Sequence, residues 1–316
     1  MIERASRMRR RRILEAAVAG GAALLTDWTD AAEPEPRGGP HFAANQYPWF
    51  MFYGRQKRDF NVSLDASLAE VARSGVAGFE PLATSPADIE RLAPLLKKHR
   101  LEMRSLYVNS TLHRPEEADK SIADVLAIAD KARQAGTRII VTNPSPIRWG
   151  GPEDKNDAEL RFQATALNKL AEKLKAIGLV LSYHNHDMEL RNAAREFHHM
   201  MLGTDPGLVT LCLDAHWIYR GSGNSAVALF DVLKLYGPRV TELHLRQSVK
   251  NVWTEALGEG DIDYPALANR LLDIGVKPHL VLEQAPEKGT PETMDAVESH
   301  RRSLQYARRV FSGFTP

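Results

Sequence analysis

Four stretches of this sequence run from apolar residues into side chains that can hold a metal or move a proton. Val180–Glu189 reads Val-Leu-Ser-Tyr-His-Asn-His-Asp-Met-Glu, a buried-strand pattern that ends in His184 and His186. Alternate residues of a strand share a face, so both imidazoles point to the same side. Thr210–His216 ends in Asp214 and His216, Val240–Arg246 ends in His244 and Arg246, and His279–Glu283 ends in Glu283. Two imidazoles and two carboxylates are ligands of intermediate hardness. They suit a divalent ion, with Mn²⁺ placed first and Co²⁺, Mg²⁺ or Zn²⁺ as alternatives. His184, Asp214, His244 and Glu283 are the candidate ligands, with His186 the alternative to His184 as the fourth. An ion so held can grip a carbonyl and its neighbouring hydroxyl and stabilise the enediolate left when the α-proton departs. Glu283 is then the candidate base, and His186 a second group able to exchange protons.

Positioning such groups requires strands that all end on one side. The steps from His184 to Asp214, to His244 and to Glu283 are 30, 30 and 39 residues, about one strand–helix unit of a parallel sheet each. Strands are expected at 49–53, 78–82, 101–108, 137–142, 179–184, 210–216, 240–246 and 279–283, with amphipathic helices between them and a closing helix over 292–311. Gly178, Gly207 and Gly275 each precede a strand as helix-to-strand turns. Eight strand–helix units in about 270 residues give an α/β fold, a single (β/α)8 TIM barrel, whose sites lie at the C-terminal ends of the strands. An open doubly wound sheet is the alternative, but no glycine-rich phosphate fingerprint follows the first strand. Four further residues at the expected mouth are substrate-binding candidates: Glu80, Asn109, His216 and Arg246. His113 is a weaker one, and Trp149, Trp217 and Trp253 could wall a sugar.

The 316 residues carry a net charge of +1. Residues 1–32 hold six Arg against four acids, so the remainder carries 35 basic and 36 acidic residues. A body so nearly neutral gives no footprint for nucleic acid. Residues 1–32 resemble a twin-arginine export signal, with Arg10-Arg11-Arg12-Ile13-Leu14 at the motif and a weakly apolar run through Leu25. That run is too short for a stable membrane anchor. It implies an exported, periplasmic protein; a basic tail on a cytoplasmic protein is the alternative. Residues 33–45 read as a Pro/Gly-rich linker and 46–316 as the barrel. Cys212, the single cysteine, excludes a disulfide framework and reads as a core residue.

Tyr183-His184-Asn185-His186, Leu213-Asp214-Ala215-His216, Leu243-His244-Leu245-Arg246 and Leu282-Glu283 resemble the strand ends of the sugar phosphate isomerase/epimerase superfamily. Leu257-Gly258-Glu259-Gly260-Asp261-Ile262-Asp263-Tyr264 resembles the loop before that group's seventh helix. The resemblance covers roughly residues 46–310. It implies a xylose isomerase-like barrel, one divalent ion on His184, Asp214, His244 and Glu283, and a small carbohydrate or cyclitol substrate; a homo-oligomer is compatible with it. Two departures matter. Many sugar epimerases of this group carry Glu where His184 stands, and use paired glutamates to remove and return a proton. Relatives commonly continue the seventh strand as His-x-Lys-Asp, against His244-Leu245-Arg246-Gln247 here. The expectation is an isomerase or epimerase that transfers a proton next to a carbonyl. A lyase or dehydratase acting on a ketosugar, inosose or 3-ketoglycoside is the alternative. An abasic-site endonuclease-like hydrolase and a non-catalytic sugar-binding protein rank below both.

Overall fold

The computed structural model describes residues 39–314. Eight parallel strands carry the site: β1 (Phe42–Asn45), β2 (Gly78–Glu80), β3 (Ser105–Tyr107), β4 (Ile139–Thr142), β5 (Val180–His184), β6 (Val209–Asp214), β7 (Val240–Leu245) and β8 (His279–Leu282). Their order is β2-β1-β8-β7-β6-β5-β4-β3. Isolated parallel bridges Gly78↔Glu102 and Leu82↔Tyr107 join the two ends, making a nearly closed (β/α)8 barrel. At this seam Phe79 N donates to Glu102 O at 2.9 Å and Tyr107 N to Pro81 O at 3.0 Å. Gly78 is needed there, because a Cβ would stand 2.7 Å from Glu102 O and 2.6 Å from the His41 ring.

Among the described residues ten α-helices pack outside: α1 (Gln46–Arg55), α2 (Leu64–Arg73), α3 (Pro86–Lys98), α4 (Pro115–Gln134), α5 (Asp157–Ala176), α6 (Arg191–Gly203), α7 (Ala215–Gly221), α8 (Ala226–Tyr236), α9 (Tyr264–Asp273) and α10 (Ala296–Val310). Local chemistry sets their ends. Ser85 with Asp88, and Asn156 with Glu159, form reciprocal capping boxes at α3 and α5, satisfying amides that have no partner inside the helix. Gly178 and Gly275, at φ +81° and +71°, supply the left-handed turns that release α5 and α9 into the following strands. Strands buried on both faces read as apolar runs. Leu211, Leu213, Leu243, Leu245, Leu280 and Leu282 are all 1% exposed or less, and each fully buried Leu is worth about 1.5–3 kcal/mol.

The first strand corrects the sequence reading. It is Phe42–Asn45, inside the stretch read as a linker, whereas Trp49–Tyr53 lies in α1. Trp49, Phe52 and Tyr53 are buried, and that three-then-one spacing marks one face of a helix. Elsewhere strands are shorter than expected at their ends, and β6 stops at Asp214. The export-signal segment, 1–32, and the linker up to 38 lie outside the described residues, and so do the last two residues. Among the described residues no helix is long and apolar enough to cross a membrane.

Candidate active site

The strands deliver the expected ligands to one point. Asp214 pairs in register with His244, and His244 with Val281, two residues before Glu283. One ligand atom from each of His184, Asp214, His244 and Glu283 lies within 4.8 Å of every other. Ligands about 2.1 Å from an ion are at most roughly 4.2 Å apart, so a contraction of a few tenths of an ångström would close the group on a cation. The donors also ask for one. Both ring nitrogens of His184 and Oδ2 of Asp214 are buried with no hydrogen-bond partner, and His184 Nε2 stands 3.9 Å from Asp214 Oδ2. Nδ1 of His244 and Oε2 of Glu283 meet at 2.9 Å, the separation of two ligands turned to a common centre. Buried polar atoms are rarely left unpaired; this donor set fits a divalent ion.

The backbone around these residues is braced. Asp214 caps α7 by accepting from Trp217 N at 2.8 Å through Oδ1. Asn185 clamps the Asp214 backbone with two 3.2 Å bonds, Nδ2 to its carbonyl and Oδ1 from its amide. Asn143 Nδ2 donates to His184 O and to Glu189 Oε1, both at 3.0 Å. Glu189 Oε2 accepts from His186 N at 2.7 Å. Arg246 is fully buried. Its Nε donates to Glu283 O at 3.0 Å and its Nη2 sits 3.0 Å from Glu283 Oε2. Its guanidinium lies 4.2 Å from the Trp253 ring and 5.1 Å from that of Trp217, and its Nη1 has no partner.

These neighbours set the charges. Burial pushes the Asp214 carboxyl up to about 7. Burial would also raise Glu283, but Arg246 and then His244 overcome it and hold that carboxyl well below the usual range. Burial keeps His184 and His186 neutral, His186 down at about 4. Below the four ligands, His244 Nε2 faces Glu242 Oε1 at 3.0 Å and Glu80 Oε1 at 3.1 Å. Burial and then Glu80 push the Glu242 carboxyl well up. At Glu80 burial is outweighed by His244, leaving it at about 2. The pair is one acid and one carboxylate.

Above the ligands opens a cavity of about 390 Å³ whose lining includes Tyr47, Asn109, Trp149, His186, Trp217, Arg246 and Glu283. Trp149 meets the His186 ring edge-on at 5.1 Å. Four expected residues lie outside the cavity lining, one of them Trp253, whose ring instead meets the Arg246 guanidinium at 4.2 Å. Glu80 is under His244, bonded by Asn45 Nδ2 at 2.6 Å, instead of on the cavity wall. His216 bonds Ser248 Oγ at 3.0 Å and accepts from Trp253 Nε1 at 3.3 Å. α7 begins at Ala215, so the strand parity that would have aimed His216 with Asp214 no longer applies, and the residue supports the aromatic wall. His113 is buried outside the cavity lining with both ring nitrogens unpartnered. Cys212 is a buried core residue of the barrel. Sequence reading missed Glu242, although it shares the face of His244, and missed Asn45 and Tyr47 because the first strand was misplaced.

Fold and site together define a (β/α)8 barrel that gathers side chains able to hold a metal ion at the C-terminal ends of its strands. The Xylose isomerase-like TIM barrel family model matches residues 68–304, and the chain belongs to that family. Inosose dehydratase of Clostridium perfringens (strain 13 / Type A) is 28% identical over 274 residues, covering 77% of this chain and 89% of that protein. Inosose dehydratase of Clostridium botulinum (strain Alaska E43 / Type E3) is 25% identical, covering 79% and 90%. A sugar phosphate isomerase/epimerase from Parabacteroides distasonis superposes with TM-score 0.69 at 18% identity over 91% of this chain and 99% of that one. A xylose isomerase-like TIM barrel protein from Mycobacterium smegmatis in complex with magnesium gives 0.65 at 15% identity, over 87% and 97%. These two structures share the fold.

Proposed function

We propose that the protein is a divalent-metal-dependent enzyme of the isomerase/epimerase type. It would move a proton next to the carbonyl of a carbohydrate or cyclitol, through an enediolate. The observation that carries this reading is the buried group His184, Asp214, His244 and Glu283, whose ligand-type atoms converge, with those of His184 and Asp214 left without a hydrogen-bond partner. A divalent ion there, Mn²⁺ first among the candidates, would supply Lewis acidity to a carbonyl oxygen and its neighbouring hydroxyl. Glu283, kept ionised by Arg246, is the base that takes the α-proton. His186, neutral and at the cavity wall, is placed to exchange a proton at the adjacent carbon. The two carboxylates offset a doubly charged ion, so Arg246 supplies the one positive charge left to balance a developing oxyanion. Tyr47, Trp149 and Trp217 give a small sugar ring apolar faces to lie against.

A specific observation favours a second reading, dehydration. His184 stands where a second glutamate would serve a symmetric removal and return of the proton, and the curated relatives are inosose dehydratases. In that reading Glu283 removes the α-proton and the β-hydroxyl leaves as water, giving an enone-type product.

The test is to load the purified chain with Mn²⁺ and incubate it in D₂O with ketoses, inososes and 3-ketoglycosides. Deuterium gained at an α-carbon with the skeleton intact supports isomerisation or epimerisation. Loss of water supports dehydration. Absence of both, with one ion bound, overturns the proposal; metal analysis should find that ion lost in Asp214→Ala. The twin-arginine signal and periplasmic placement belong to the same proposal, and fractionation of cells expressing the full chain tests them.

A further inference from the structure

His244 presents its two ring nitrogens to two different sets of groups. Nδ1 faces Glu283 with the metal-type cluster, while Nε2 faces two carboxylate oxygens on the inner side, Glu242 Oε1 at 3.0 Å and Glu80 Oε1 at 3.1 Å. Glu242 precedes His244 by two residues on β7 and so shares its face, one layer deeper in the barrel. Glu80 comes from the end of β2 and is fixed by Asn45 Nδ2 at 2.6 Å. Cys212 Sγ closes the pocket beside Glu242 Oε1 at 3.6 Å. His244, Glu242, Glu80, Asn45 and Cys212 are each at most 1% exposed. A ring nitrogen 3.1 Å from the ionised Glu80 carboxylate is a donor, since a lone pair there would be repelled, and Glu242, the acid of the pair, accepts from it through its carbonyl oxygen. Neither carboxylate is among the residues lining the cavity, and both are fully buried.

We propose that Glu242 and Glu80 are positioning residues that hold the His244 proton on Nε2, so that the Nδ1 lone pair is free to ligate the ion. The inference rests on the metal reading given above. Two buried carboxylates in a barrel core are expensive unless they bond something specific, and orienting a ligand histidine is such a use. The role explains why β7 carries an acid at a position where a parallel barrel strand would otherwise be apolar. Asn45 belongs to the same device, because it fixes the Glu80 oxygen that meets Nε2.

The experiment measures Mn²⁺ affinity from the free-ion electron paramagnetic resonance signal for the wild type, Glu242→Leu and Glu242→Gln. Alongside it, ¹⁵N imidazole NMR is recorded on Zn²⁺-loaded wild type. The expected results are a roughly 10–100-fold weaker ion in Glu242→Leu, near-recovery in Glu242→Gln, which keeps an acceptor oxygen, and a proton on His244 Nε2. Thermal melts of the metal-free variants check that each is folded at the temperature of the affinity measurement. Unchanged Mn²⁺ affinity in the Leu variant, or a His244 proton on Nδ1, overturns the proposal. So does a second ion in the wild type that is absent in Glu242→Leu, since Glu80, Glu242 and His244 would then be ligands themselves. If the Leu variant does not fold, the NMR result decides. A wild type that binds no ion removes the metal reading and this proposal together, an outcome distinct from a wild type and variant that bind equally.

Discussion

His184 Nε2 and Asp214 Oδ2 face each other across 3.9 Å at the ends of adjacent strands, both buried and neither hydrogen-bonded. Burial holds the Asp214 carboxyl at about 7, so at neutral pH the metal-free site is partly protonated. An ion must displace that proton. Burial would lower His244 as well, but Cys212, Glu80 and Glu283 around it outweigh that and hold it well above its usual 6.5, so its Nδ1 proton must leave too. Divalent-ion affinity should therefore rise by at least about tenfold per pH unit below pH 7 and go on rising above it. The metal-free chain responds oppositely. A carboxyl whose folded pKa is raised stabilises the fold fully below its unfolded value near 4 and loses that contribution as pH rises through about 7. Isothermal titration with Mn²⁺ between pH 5 and 8 checks the first trend, and thermal melts of metal-free wild type and Asp214→Asn check the second.

The pairing of Arg246 with Glu283 is the next relationship open to test. The guanidinium bonds both the carbonyl and the carboxylate of one residue, at 3.0 Å each, while stacked near Trp253. A lysine cannot span both oxygens or lie flat on the indole. Arg246→Lys should lower kcat/KM about 10–100-fold, matching one or two charge-assisted hydrogen bonds. Arg246→Met should in addition move the acid limb of the rate profile to higher pH. Arg246 holds the Glu283 carboxyl down, and without it the base is protonated at a higher pH. A profile that does not move would separate Glu283 from the role of base.

The site was more legible in the sequence than the strand that closes the barrel. Val180–His184, Val209–Asp214 and Val240–Leu245 are mostly apolar runs with a ligand at or next to the last residue, and a parallel strand buried on both faces leaves that trace. Phe-Ala-Ala-Asn, by contrast, is four residues beside a Pro/Gly-rich segment, and the aromatic run after it looks strand-like until the spacing of Trp49, Phe52 and Tyr53 is counted. His216 was misdirected for a different reason. Strand parity was extended past Asp214, where the backbone had already turned into α7. Glu242 shows that parity also under-reads: the position was visible, but nothing in a single sequence says that a buried acid will find a histidine two residues on.

His300 supplies a stability prediction away from the site. On α10 it stacks on Trp49 at 4.4 Å, and its Nδ1 bonds Ala296 O at 2.7 Å. Burial lowers it from 6.5 to about 4. A histidine with a depressed pKa must be neutral in the fold, while the unfolded chain takes up a proton below about 6.5. Stability from this residue is therefore present above about 6.5 and is lost as pH falls toward 4, by about 3 kcal/mol at most. Denaturant melts at pH 4.5 and 7.5 should show a smaller difference for His300→Phe than for the wild type.

The first turn of α6, next to the site, is left-handed and carries strain that a single substitution can release. Asn192, Ala193 and Ala194 have φ of 52°, 59° and 56°, three consecutive left-handed residues with no glycine among them. Each alanine there brings its Cβ against the neighbouring carbonyl, at about 1–2 kcal/mol per residue. The turn persists because its flanks are tied to the loop that holds Trp149. Arg191 Nη1 donates to Gly151 O at 2.9 Å, and Asn192 Nδ2 to Asp154 Oδ2 at 2.7 Å. Glycine relieves the clash but widens the unfolded ensemble by roughly 0.4–1 kcal/mol. Ala193→Gly should therefore stabilise the protein by up to about 1 kcal/mol, where glycine in an ordinary helix interior would destabilise it by a similar amount. Urea unfolding of Ala193→Gly beside a control, Ala228→Gly within α8, measures both signs in one chain. A destabilised Ala193 variant would mean that the backbone at this corner is right-handed in solution.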